Sequence, residues 1–60
     1  SLLRWAQAAE GAGEIQTALT VYNRFVNRFP TDPLVVDARQ KIKQLEAQKI
    51  AQQATGQAEG

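Results

Sequence analysis

Residue types able to carry chemistry are sparse in this chain. It has no Cys and no His. Disulfide and thiolate chemistry are therefore outside its means, and the commonest metal ligand and general base are both missing. The hydroxyls belong to Ser1, Thr17, Thr20, Thr31 and Thr55. A hydroxyl needs an adjacent base to act as a nucleophile, and none of these has a His or Cys to pair with. Two carboxylate pairs are near in sequence: Glu10 with Glu14 across a Gly turn, and Asp32 with Asp37. Asp32 is better explained as a helix N-cap before Pro33, and Asp37 as the i, i+4 surface partner of Lys41. Gly11-Ala12-Gly13 lacks the third Gly and the Lys of a phosphate loop, and it follows a helical pattern rather than a strand. No catalytic residue, metal ligand or cofactor is assigned, and the chain reads as non-enzymatic.

Binding chemistry has more to work with. Arg24 and Arg28 form an i, i+4 pair on the outer face of a helical segment, beside Asn23 and Asn27. Such a pair can hold a phosphate or a partner carboxylate, although a solvated face is the commoner use of charged helix positions. The aromatic residues Trp5, Tyr22, Phe25 and Phe29 could be a stacking platform for bases. All four fall on apolar stripes, however, and core packing is the stronger reading. The Tyr22 hydroxyl is expected to reach the surface or a backbone carbonyl. Seven basic residues against six acidic ones leave a net charge of +1, which predicts neither nucleic-acid binding nor attraction to an anionic membrane. No apolar stretch approaches the roughly 20 residues a membrane-spanning helix needs.

The elements that position these residues follow from Gly and Pro. Gly11/Gly13 and Pro30/Pro33 divide the sequence into three helical segments. The first runs from Leu2 to Ala12, with Leu2, Trp5, Ala6 and Ala9 at helical spacing. The second runs from Glu14 to Phe29. Its apolar positions, Ile15, Ala18, Leu19, Tyr22, Phe25, Val26 and Phe29, repeat the i, i+3, i+4, i+7 pattern. Pro30 ends it. Asp32 as N-cap and Pro33 at the first helical position predict a third helix starting at Pro33. Its stripe is Val35, Ala38, Ile42 and Leu45, after which Lys49 and Gln52 take the same face. Glu46 with Lys49 adds an i, i+3 pair. The third helix is expected to run to about Ala54, stopping at Thr55-Gly56, with a frayed tail over 56–60.

Helix, short Gly turn, helix, Pro, helix is the plan of a tetratricopeptide unit, and the residues resemble one. Gly13-Glu14-Ile15 followed by Ala18, Tyr22 and Pro30 is similar to the second half of that motif, while Leu2, Trp5, Ala6 and Ala9 fall on its first-helix positions. Phe25 stands where many repeats have a small residue, and Ala9 replaces the usual aromatic. The run from Tyr22 through Phe25, Phe29 and Pro30 to Pro33, with Ala38 after it, resembles a bacterial variant found in envelope proteins such as outer-membrane assembly lipoproteins. That favours the bacterial periplasm or envelope slightly over the cytoplasm. The resemblance implies an all-α fold with one helical hairpin over residues 1–30, a longer capping helix over 31–54 and a tail over 55–60. It also implies packing roles for Trp5, Ala6, Ala9, Gly13, Ala18, Tyr22, Phe25 and Pro30.

The implied function is a protein–protein interaction scaffold. In such arrays the concave groove is lined by the first helix of each unit, which here implies Leu3, Gln7 and Glu10 as groove residues; Leu3 serves equally well as ordinary packing. The Lys and Asn with which the chaperone-binding subclass grips a C-terminal carboxylate are absent from these positions. One unit plus one helix is less than the three or so repeats usually needed for independent stability. The chain has no Met and opens in mid-pattern at Ser1-Leu2-Leu3, as expected for the C-terminal part of a longer array. The expected partners are a protein or peptide, and a preceding repeat or a second copy of this chain. Two alternatives stay open: a homo-oligomerisation segment, and an accessory domain of an enzyme whose chemistry lies elsewhere.

Overall fold

The computed structural model describes residues 1–59, with side chains through Ala51. Three helices are present: α1 over Leu2–Gly11, α2 over Ile15–Arg28 and α3 over Val35–Glu59. The fold is all-α. Each helix boundary has a local cause. Ser1 caps α1, its hydroxyl accepting the Arg4 amide at 3.3 Å, which satisfies one of the free N–H groups of the first turn. At the other end the Glu14 amide donates to Ala9 O at 2.8 Å and the Gly13 amide to Glu10 O at 3.1 Å. Gly13 sits at φ 82°. This is the paired 6→1 and 5→2 closure of a helix C-terminus, and it needs the left-handed residue that Gly supplies most cheaply. The chain reverses within three residues and α2 begins. Glu14 is the residue before α2, but its side chain makes no capping hydrogen bond.

Phe29 closes α2, its amide bonding to Phe25 O at 2.9 Å, and Pro30 follows. The next reversal is built on Asp32. Its amide donates to Phe29 O at 3.1 Å, and its Oδ1 accepts the Leu34 amide at 2.9 Å. Regular α-helix then starts at Val35, two residues after the expected Pro33. Asp32 does act as a cap, but on a tight turn through Pro33 and Leu34 that precedes the helix; the Val35 amide reaches Asp32 O and the Val36 amide reaches Pro33 O. At its far end α3 passes through Thr55-Gly56, where a stop was expected, and continues to Glu59. A lone Gly costs a helix only about 1 kcal/mol, far less than the Pro that ends α2, and Ala54, Gln57 and Ala58 around Thr55-Gly56 favour helix. The backbone of 56–59 is therefore helical where a frayed tail was expected; Gly60 lies outside the described residues.

The central element is α2. It packs against α1 on one side and α3 on the other, whereas α1 and α3 meet far less. A helix covered on two sides needs a wide apolar face, which explains why Val21 is buried together with Ala18, Leu19, Tyr22 and Phe25. Val21 lies outside the stripe read from the sequence but stands three residues after Ala18 and four before Phe25. The core is completed by Ala6 and Ala9 from α1 and by Val35, Ala38 and Leu45 from α3, with Leu2, Leu3, Ile15, Val26 and Ile42 packed around it. The three Ala residues facing α2 at Ala6, Ala9 and Ala38, with Ala18 on α2 itself, allow close helix approach.

Two aromatic assignments are corrected. Trp5 is 51% exposed and Phe29 44%, so neither is a core residue of this chain. Ala6 and Ala9 hold the face of α1 that meets α2, and Trp5 precedes Ala6 by one position, about 100° around the axis. Phe29 lies beyond the last helical residue, where the periodic stripe no longer fixes its direction. Two ion-pair assignments also change. Lys41 turns to Glu10, with Nζ 3.6 Å from Oε2, rather than to Asp37. Lys49 donates to Gln16 Oε1 at 2.6 Å rather than pairing with Glu46. In both cases a partner on another helix takes the Lys from its neighbour on α3.

Candidate functional site

The sparse contact between α1 and α3 leaves a groove between them, of about 220 Å³. Leu3 and Gln7 form its α1 side, Tyr22 contributes from α2, and Leu34, Asp37, Ala38, Gln40, Lys41 and Gln44 form its α3 side. Apolar side chains alternate with amides. A side-chain amide presents a donor and an acceptor together, which is also what a peptide bond presents. The lining is therefore suited to a peptide: Leu3 and Leu34 can take its side chains, and Gln7, Gln40 and Gln44 its backbone groups.

Leu3 and Gln7 lie where the sequence reading put them. Glu10 does not line the groove. Its carboxylate is half-buried and fully engaged: Oε1 accepts the Tyr22 hydroxyl at 3.1 Å and Oε2 faces Lys41 Nζ at 3.6 Å. One residue of α1 thus holds both other helices. The Tyr22 hydroxyl is consequently directed to a side-chain carboxylate and not to the surface or a backbone carbonyl. Its phenol is pushed up to about 12, first by burial, then by the hydrogen bond to Glu10 and by that residue's charge. Glu10 is committed to this link, so the Glu10–Glu14 pair loses its appeal as an acid–base couple. Sequence reasoning missed the whole α3 side of the groove because it sought the lining on α1 alone.

A second surface lies on α2. Thr20, Asn23, Arg24, Asn27 and Arg28 form a shallow polar depression of about 760 Å³. Thr20 and Asn23 are tied back to the helix, their side chains donating to Gln16 O at 3.0 Å and Leu19 O at 2.8 Å. Arg24 and Arg28 are exposed. The Arg28 guanidinium stands 5.8 Å from the centre of the Phe29 ring, within cation–π range. Phe29 in turn leans on Phe25, ring centres 5.5 Å apart at 44°.

No family model, curated protein or solved structure matches this chain. The functional reading therefore rests on its own geometry. Among the described residues no helix is long and apolar enough to cross a membrane.

Proposed function

We propose that the chain is a non-enzymatic interaction module of tetratricopeptide type, whose α1–α3 groove receives an extended or helical peptide. One observation carries this reading. A tetratricopeptide repeat is about 34 residues long. Counting that length on from Leu3 and Gln7, which line the groove, arrives at Asp37 and Lys41, which line it too; Glu10 and its counterpart Gln44 differ, Gln44 alone lining it. Equivalent positions of two successive units thus converge on one surface, which is how such arrays build a binding face. The same count takes Leu2, Ala6 and Ala9, the residues by which α1 meets α2, to Val36, Gln40 and Lys43. On α3 this face is exposed and mostly polar, which suits a helix that ends an apolar stack at a water boundary.

Peptides selected from a random library on the immobilised chain should perturb the amide resonances of Leu3, Gln7, Gln40 and Gln44. Gln7→Ala with Gln44→Ala should weaken their binding. Selected peptides that bind without touching these resonances would remove the groove reading.

A second reading, self-association, draws support from the apolar residues left in water. Trp5, Val36 and Ile50 are all more than half exposed, on a chain with little core to spare. Trp5 flanks the α1–α2 contact, so a preceding helical pair or a second copy would cover it.

A further inference from the structure

Beside the groove, and sharing Leu3 and Leu34 with it, is an apolar hollow of about 460 Å³ at the end of the bundle where α1 begins and α2 ends. Leu2, Leu3, Phe25, Phe29 and Leu34 make its walls, with Ser1 and Arg28 at the rim. Two of these walls, Phe29 and Leu34, are 44% and 47% exposed. Arg28 also borders the polar depression that contains Arg24, so hollow and ridge are one continuous surface. That surface is one-sided in charge. Among the described residues no acidic side chain lines either part; Asp32 lies in the adjoining turn, its Oδ1 accepting the Leu34 amide. Arg28 is held beside Phe29 by its stacking contact, and Arg24 stands one helical turn away, near enough for both to address neighbouring carboxylates. The guanidinium fork matches a carboxylate bidentately. Phe and Arg are both enriched in protein interfaces relative to the rest of the surface.

We infer that this corner docks an acidic–apolar peptide segment, one or two large apolar side chains entering the hollow while flanking Asp or Glu residues engage Arg24 and Arg28. The inference rests on the chain being an interaction module but not on the groove being its binding site. A peptide is favoured over a nucleic acid because the charged ridge is only two guanidiniums long and leads into a wall of Leu and Phe. A carboxylate-bearing segment is favoured over a second copy because the lining supplies Arg24 and Arg28 and no acidic side chain, so two copies meeting face to face would set like charges against each other.

The test is selection of one random-peptide library against the wild-type chain and against Arg24→Glu/Arg28→Glu, whose positions are exposed and outside the core. The expected result is a class of peptides that combines Leu, Phe or Trp with Asp or Glu and is absent from the variant's selection. Fluorescence anisotropy should show its affinity falling about tenfold or more on charge reversal, the sum expected from two rim ion pairs. Phe29→Ser, at an exposed wall of the hollow that the groove does not share, should weaken the same class, whereas Gln7→Ala/Gln44→Ala should leave it unchanged, so loss of the groove reading would show up separately. The proposal is overturned if no peptide class depends on Arg24 and Arg28, or if the dependent class carries no acidic residue. It is equally overturned if a single-stranded oligonucleotide binds Arg24 and Arg28 while peptides do not, or if Phe29→Ser abolishes self-association and no peptide class emerges.

Discussion

Glu10 shows how much one side chain can hold in a small fold. It stands in the last turn of α1, yet its two oxygens reach α2 and α3. Removing the hydroxyl it accepts, by Tyr22→Phe, should cost about 1–2 kcal/mol, since a partly buried carboxylate loses a charge-assisted bond; thermal melting measures it. The same residue predicts a pH dependence. The folded state raises the Tyr22 pKa from 10.0 to about 12, so folding disfavours the phenolate. Its contribution to stability is complete below about pH 10 and is lost as pH rises from there through 12. Because Tyr22 is the chain's single tyrosine, its ultraviolet phenolate absorbance should rise together with the loss of helix signal, and Tyr22→Phe should lessen this alkaline loss of stability. The two glycines of the first turn make a contrast of opposite sign. A Cβ at Gly11 or at Gly13 would meet nothing within 4 Å, but Gly13 alone has positive φ. Gly13→Ala should therefore destabilise by about 1–2 kcal/mol through the backbone alone. Gly11→Ala should instead stabilise by up to about 1 kcal/mol, because Ala loses less freedom on entering a helix. Equal melting shifts for the two would contradict the turn described.

At the scale of the elements, α2 is the helix on which the others depend. Ala18 is fully buried, and Ala18→Leu should overpack its contact and lower stability by about 1–3 kcal/mol in chemical denaturation. The three helices were readable because their determinants are local: Gly13 for one reversal, Pro30 and Asp32 for the other, and an unbroken 3.6 period between them. The stripe of α2 was legible except at Phe29, which lies past the last helical residue and is exposed, and at Val21, whose burial depends on α2 having two neighbours, a fact no single helix encodes. Trp5 was misjudged for the related reason that periodicity marks a broad apolar arc without saying which part of it meets a partner. The ends of α3 were the least legible. Its first turn is governed by a side-chain hydrogen bond two residues long, and its last part by weak propensities with no breaker strong enough to decide. Half of the groove was legible on α1. The α3 half and the Glu10 link depend on two helices far apart in sequence being brought side by side.

For the whole molecule, the limiting quantity is covered apolar surface. A 60-residue chain buries only about 60% of what it exposes when unfolded, and this one leaves Trp5, Phe29, Leu34, Val36 and Ile50 at its surface. These residues are dispersed over more than one side, so no single small contact covers them all. The isolated chain should therefore self-associate in the micromolar range, with sedimentation giving a mass above that of one chain and a melting temperature that rises with concentration. A well-folded monomer throughout that range would contradict it. Trp5→Gln should reduce the association with little effect on the α1–α2 contact, because the face that meets α2 is held by Ala6 and Ala9.

The weak contact between α1 and α3 has a mechanical consequence. Both helices are anchored to α2, like two jaws on one handle, and one direct tie between the jaws is a partly exposed pair of long side chains, Glu10 and Lys41. Spreading or closing them would move α1 or α3 against α2, across contacts that belong to one core with Ala6, Ala9, Ala38 and Leu45, and a close-packed core resists that. The gap therefore keeps its width when added salt slackens the Glu10–Lys41 tie, and what enters it is fitted by rotation of exposed side chains such as Gln7, Gln40 and Gln44.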